Sequence, residues 1–409
     1  MGSELNQGKA IDAVGKITRR QLMELDTCAH CALCVDTCPT YSESKALNYS
    51  PAVRSALMLR MYERKRGLLS RIFPKEVKQS DVENLADSAF NCTLCGRCME
   101  NCPFGLQTHA LWMRGRGIIH DLEGNPRNVA RLENALAESK NPYGLDADTR
   151  LDWAEFAGLD ELPRKDKAQV AYFVGCTTAF KGASQDIAAS MVTILNRLRE
   201  DWTVLGEDEW CCGSPLLLAG DEESARAYAE HNVESLVKRG IETVVTSCSG
   251  CFRTLKWEYP SLLGRKLPFE VIHAIEYIDE KISSGSLELN PINARVTYHD
   301  PCELGRMGGV LEAPRRLLKS FALDYVELPE NGLDSRCCGG GGLLQSVNSD
   351  LRMKVIKKRL NQVKSSEASI LTSGCPACKL AFIDGVKEGG LGIEVIDIVE
   401  LVARQLKPE

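Results

Sequence analysis

No stretch of this chain approaches the roughly 18 consecutive apolar residues that read as a membrane-spanning helix. Its opening, MGSELNQGKAIDAVGKITRR, lacks the apolar core of a secretory leader, and Asn6 stands where a myristoylation signal needs Ser or Thr. A cytoplasmic protein is expected, attached to a membrane, if at all, through a partner protein. Positive charge is not in excess either: 50 Lys and Arg stand against 56 Asp and Glu, for a net charge of −6. That balance argues against a nucleic-acid footprint. The glycine fingerprint of a dinucleotide fold is missing, no flavin site is visible, and the glycine runs lack the Gly-Lys-Ser/Thr of a phosphate loop. The chain therefore cannot collect electrons from a nicotinamide or a quinone unaided.

Cysteine is abundant: 18 among 409 residues. In a reduced cytosol thiolates hold metal or do redox chemistry more often than they form disulfides. All of them fall into four groups: Cys28, Cys31, Cys34, Cys38; Cys92, Cys95, Cys98, Cys102; Cys176, Cys211, Cys212, Cys248, Cys251; and Cys302, Cys337, Cys338, Cys375, Cys378.

The first two groups, CAHCALCVDTCP and CTLCGRCMENCP, follow the bacterial ferredoxin run for a cubane [4Fe–4S] cluster, in which three close thiolates take three corners and the fourth cysteine, before Pro, serves the neighbouring cluster. This pairs Cys28, Cys31 and Cys34 with Cys102, and Cys92, Cys95 and Cys98 with Cys38. Zinc, which favours two-and-two spacing, gives no reason for the three-then-one pattern. The 53 intervening residues include the helix-favouring VRSALMLRMYERKRGLL, so a helical ferredoxin-like domain is expected over residues 1–120. Within it RMYERKRGLLSRIFPK carries six basic residues and one Glu, which reads as a solvated helix face or as a docking surface for an acidic or membrane-bound partner.

Residues 121–168, polar and broken by Pro and Gly, read as a linker. Beyond it VAYFVG, DWTVLG and ETVVTS alternate with amphipathic helical stretches, and RVTYHD, DYVELP and SILTSG repeat the layout. Alternating strand and helix imply parallel βαβ units. The cysteines repeat as well: Cys302, Cys337 and Cys338 lie 126 residues after Cys176, Cys211 and Cys212, and Cys375 and Cys378 lie 127 after Cys248 and Cys251. The overall class is α+β and α/β, with duplicated α/β modules over 169–290 and 291–409. Cysteines that follow apolar strand-like runs gather at the carboxyl ends of parallel strands, where open α/β sheets bind ligands. With the Cys-Cys pair of an intervening loop, five thiolates in all converge per module, one more than a cubane or a zinc ion needs.

The spacing Cys, 34 residues, Cys-Cys, 35 or 36 residues, Cys-x-x-Cys resembles the CCG domain of the heterodisulfide reductase family, as do YHDPCELGR, EAPRRLL and CCGGGG. From about residue 20 to 405 the chain is similar to that family's D subunit, or its fused B and C subunits, and to the iron–sulfur subunits of glycolate oxidase and anaerobic glycerol-3-phosphate dehydrogenase. The resemblance implies a noncubane [4Fe–4S] cluster on the five cysteines of each module, beside the two cubanes. It implies an iron–sulfur oxidoreductase subunit of anaerobic metabolism whose partners are a flavoprotein, a ferredoxin-like protein or a membrane cytochrome subunit. Two further readings stay open: catalytic reduction of a small thiol disulfide at the CCG clusters, and service to a flavin-linked 2-hydroxyacid or glycerol-3-phosphate dehydrogenase. A zinc-holding scaffold is the reading without redox chemistry.

Other candidates are softer. Gly213, Gly339 and Gly340 bring backbone amides near sulfides or substrate, or simply make a turn. His299 and Asp300, just before Cys302, relay protons or form a hydrogen-bonded strand end. Arg306 balances cluster charge, holds an acidic substrate, or makes a structural salt bridge.

Overall fold

The first third of the chain is helical because its apolar residues recur at helical spacing and its helix starts are capped. Asn6 accepts from the amides of Gly8 and Lys9 to open helix Gln7–Gly15, and Thr18 and Gln21 form a reciprocal capping box at helix Arg19–Thr27. Helix Pro51–Arg66 starts on proline, whose missing N–H costs nothing there. With helices Gln79–Phe90 and Thr108–Asp121 these enclose a core that includes Val14, Met58, Leu85, Phe90 and Trp112. Part of the basic stretch is spoken for, since Arg64 pairs with Asp81. Residues 67–74, the rest of it, lie outside the residues that the computed structural model describes, which are 5–66, 75–159 and 161–408.

Strands appear where short runs rich in β-branched and aromatic residues are bounded by helices. β1 (Val170–Tyr172), β2 (Trp202–Thr203), β3 (Thr243–Thr246) and β4 (Glu270–His273) form a parallel sheet in the order β2-β1-β3-β4. β5 (Ile292–His299), β6 (Ala322–Val326), β7 (Ile370–Ser373) and β8 (Glu394–Asp397) repeat it as β6-β5-β7-β8. All four residues of β7 are buried, as a parallel sheet covered on both faces requires. The duplication read from cysteine spacing is thus a duplication of sheets. β4 and β8 had no counterpart in the sequence reading, although FEVIH and GIEVID carry the same short apolar signal.

The compact units do not follow the expected boundaries. Residues up to Glu133 form the helical unit together with Pro215–Glu222 and Gly339–Val355, which follow the two Cys-Cys pairs, and the rest of the chain forms the α/β unit. The expected linker is also structured, with helix Arg127–Ser139, a 3-10 turn at Ala147–Leu151 and a fully buried Trp153. Its polar composition misled because one polar residue works inside it. Buried Asn141 donates to the carbonyls of Ser139 and Leu145 and accepts from the amides of Tyr143 and Leu145.

Gly220, in one of the returning segments, has φ +98°, and a methyl group there would sit 2.6 Å from the Arg116 carbonyl carbon and 2.8 Å from the Gly117 nitrogen. Backbone cannot yield as a flexible side chain can. Gly220→Ala is expected to lower stability by about 2–4 kcal/mol, from left-handed backbone strain plus overpacking, seen as a lower urea midpoint with an unchanged slope.

Candidate iron–sulfur centres

Each ferredoxin-like run turns through the left-handed region on both sides of its middle cysteine: His30 and Ala32 flank Cys31 at φ 51° and 66°, and Leu94 and Gly96 flank Cys95 at φ 51° and 71°. Three of these four are not glycine, so each holds that conformation against about 1–2 kcal/mol. The tight double turn sets three thiols around one point. Cys28, Cys31, Cys34, Cys98 and Cys102 line a cavity of about 30 Å³. Cys38, Cys92, Cys95 and Cys98 line a second of about 10 Å³. Cys102 borders only the first and Cys38 only the second, while Cys98 borders both.

The two sites differ in their surroundings. Cys31 is exposed, whereas Cys38, Cys92, Cys95 and Cys98 are all buried. Burial is the main force pushing the thiols of Cys34 and Cys98 up to about 12, even though Thr108 hydrogen-bonds Cys98 at 3.0 Å. The Arg54 guanidinium favours the thiolate of Cys38, but burial outweighs it and the thiol is raised.

In the α/β unit the strand order reverses between β1 and β3 and again between β5 and β7, the switch points at which such sheets bind ligands. Cys176 opens a short helix after β1, while Cys248 and Cys375 cap the helices that follow β3 and β7, with Cys251 and Cys378 one turn further on the same face. The Cys211–Cys212 and Cys337–Cys338 pairs enter from loops. The sulfurs of Cys338 and Cys378 stand 3.0 Å apart, and neighbouring thiols shift one another's ionisation in turn from Cys176 through Cys211, Cys212, Cys251, Cys248 and Cys375 to Cys378. The two modules meet where Cys248 and Cys375 act on each other and where Ser249 donates to the Gly374 carbonyl at 2.6 Å. None of the eighteen cysteines is in a disulfide. Converging thiols, most of them buried and none in a disulfide, fit iron–sulfur clusters.

The cysteine-rich CCG domain family matches residues 170–256 and 296–383, and the 4Fe-4S dicluster domain family matches residues 24–106. The D subunit of dihydromethanophenazine:CoB–CoM heterodisulfide reductase from Methanosarcina acetivorans is 37% identical over 95% of this chain and 96% of its own. The chain belongs to the heterodisulfide reductase D-subunit family. More distant similarity links it to a probable membrane-anchored ferredoxin of Chromohalobacter salexigens, 29% identical over 97% of this chain and 62% of that one. The B subunit of fumarate reductase (CoM/CoB) from Methanothermobacter marburgensis is 25% identical over 97% of this chain and 76% of its own. This heterodisulfide reductase D-subunit relative is accordingly an iron–sulfur oxidoreductase subunit, and among its described residues no helix is long and apolar enough to cross a membrane.

Within this D-subunit fold the softer candidates separate. Arg359 Nε donates to His299 Nδ1 at 3.2 Å, which leaves the ring proton on Nε2. A ring nitrogen of His299 lies within 4.8 Å of the sulfurs of Cys338 and Cys378. Burial first, then Arg359, push its pKa to about 3, so at neutral pH the ring is uncharged. Asp300 faces elsewhere: it pairs with Arg315 at 2.7 Å and accepts the Gly332 amide at 2.8 Å. The two neighbours in sequence do not form one relay. Arg306 donates to the carbonyls of Leu333 at 2.7 Å and Ser335 at 2.6 Å, bracing the loop that leads into Cys337 and Cys338. Gly213 and Gly339 have φ 84° and 83°, a conformation that favours glycine after each Cys-Cys pair, while Gly340 does not share it.

Two neighbours of the thiols escaped the sequence reading. Buried Arg150 donates to Glu209 Oε1 at 2.9 Å and through Nη2 to Cys176 Sγ at 3.5 Å. The Tyr143 hydroxyl, bonded to Thr177 at 3.0 Å, has its ionisation opposed by burial and by Cys176, Cys211 and Cys248. Both lie in the polar stretch read as a linker, where no periodicity or motif marks them.

Proposed function

We propose that this protein holds four clusters: a cubane on Cys28, Cys31, Cys34 and Cys102, a cubane on Cys92, Cys95, Cys98 and Cys38, and a five-cysteine noncubane cluster in each CCG module. When bound, the clusters supply one-electron transfer. The chain's residues bury the inner cubane site, leave the outer one near solvent at Cys31, and bring both CCG thiol sets together. Electrons pass between a redox partner, whether flavoprotein, ferredoxin-like or membrane cytochrome, and the CCG half. The observation that carries this reading is the gathering of mutually interacting thiols from both modules. Because it joins module to module at Cys248 and Cys375, it also supports disulfide reduction there, in which two electrons and two protons convert one S–S bond into two thiols. The M. acetivorans relative is named for a heterodisulfide of this kind.

Anaerobically purified protein is expected to be brown and to carry roughly sixteen irons per chain, four at each of four sites. A colourless, zinc-loaded chain with intact thiols would defeat the proposal. Cys38→Ala is expected to damage the cluster of Cys92, Cys95 and Cys98 and to leave that of Cys28, Cys31 and Cys34 intact. EPR showing the reverse pattern would overturn the crossed assignment.

A further inference from the structure

The two modules repeat their cysteines but not the charges around them. In the first, the Arg150 guanidinium is 2% exposed and its carboxylate partner, Glu209, 1%. Glu209 also accepts the amides of Val174 and Gly175, each at 2.9 Å. The pair is neutral overall but oriented: three N–H groups converge on the carboxylate, while the guanidinium's other edge faces Cys176 Sγ at 3.5 Å. In the second module a ring nitrogen of His299 lies within 4.8 Å of the sulfurs of Cys338 and Cys378, and Arg359, which donates to His299 Nδ1 at 3.2 Å, also acts electrostatically on Cys338. Arg253, whose charge is felt at Cys302, is shared between Glu258 and Glu303.

We infer that Arg150 is a positioning residue that raises the reduction potential of the first-module CCG cluster. Adding an electron to a thiolate-bound cluster adds negative charge. A donor with positive charge at a ligand sulfur stabilises the reduced form, and in a buried site little solvent screens it. The first-module cluster is then easier to reduce than its thiolates alone would make it. This rests on the four-cluster reading above and adds to it a residue that sets one cluster's potential.

The test is an EPR-monitored redox titration of the full, cluster-loaded chain. The first-module signal is assigned as the one lost in Cys212→Ser. Arg150→Gln is expected to lower the equilibrium constant for one-electron reduction of that cluster at least tenfold, a shift of 59 mV, with the other three signals unmoved. Arg150→Lys should recover most of the loss. Glu209→Gln, which removes the opposing negative charge, should shift the same signal the opposite way. Mere damage would move both variants alike. Because Arg150→Gln leaves Glu209 buried without its ion-pair partner, the double variant Arg150→Gln/Glu209→Gln offers a version with no lone charge, and it too should shift negative. The inference fails if the first-module potential stays within about threefold in that constant in both Arg150→Gln and the double variant, or if all signals move together. Absence of CCG signals from the wild-type chain would instead sink the four-cluster reading.

Discussion

Cys338→Ser is expected to abolish the second-module signal and to cut turnover more than about 100-fold, since losing a ligand should exceed the 10–100-fold cost typical of losing an outer-shell partner. Cys338 is 4% exposed, its sulfur stands 3.0 Å from that of Cys378, and a ring nitrogen of His299 lies within 4.8 Å of both. A serine hydroxyl is nearly isosteric with the thiol, so packing should survive, but an oxygen is a harder and less readily ionised donor to iron than a thiolate. The amino-terminal pair, built wholly from Cys28 to Cys102, should still be reduced by dithionite, which separates loss of the CCG centre from loss of the wire. If turnover persisted while the second-module signal vanished, that module would not take part in the reaction. If both remained, Cys338 would not be a ligand.

Arg116→Ala should be the most destabilising single change in the helical unit, by about 3–5 kcal/mol, because it removes a charged donor from several buried carbonyls and leaves a cavity. The side chain is fully buried. It donates to the carbonyls of Ala89 at 3.2 and 2.9 Å, Cys92 at 2.9 Å, Leu218 at 2.7 Å and Gly342 at 2.8 Å. It also lies over the Phe90 ring, 4.5 Å from its centre. Alanine would leave four carbonyls without this donor and a cavity beside the Cys92 turn. Burial lowers the pKa of Arg116 to about 9, so the group still carries its charge at neutral pH. Urea denaturation of the cluster-free protein would measure the loss directly, and cluster-loaded protein should lose iron first from the site of Cys92, Cys95 and Cys98. A lysine at 116 can reach fewer of the four carbonyls and should recover only part of the stability. An unchanged urea midpoint for Arg116→Ala would mean that water replaces the guanidinium at no net cost.

Arg116 also shows why the domain boundaries were illegible. Two of its acceptors, Leu218 and Gly342, belong to segments that follow the Cys-Cys pairs of the α/β modules, yet both pack in the helical unit. Sequence proximity to a cysteine motif says which module a residue continues from. It does not say where a short returning segment finds its hydrogen-bond donors. The same limit hid Arg150, which lies in a polar stretch with neither motif nor periodicity and acquires a role only when folding buries it against Cys176 and Glu209.

The sequence by itself determined the parts whose information is local: the two three-then-one cysteine runs, the helical character of their spacer, the βα alternation and the duplication at 126 or 127 residues. Each depends on spacing along the chain, and spacing carries through to the fold because helices and strands have fixed rises. Only the tertiary structure decided that Cys248 meets Cys375, that Asp300 turns to Arg315 while His299 turns to the thiols, and that one module's sulfur faces a guanidinium and the other's an imidazole. Those outcomes depend on side chains far apart in sequence competing for a few buried partners, and that competition is settled by packing rather than by pattern.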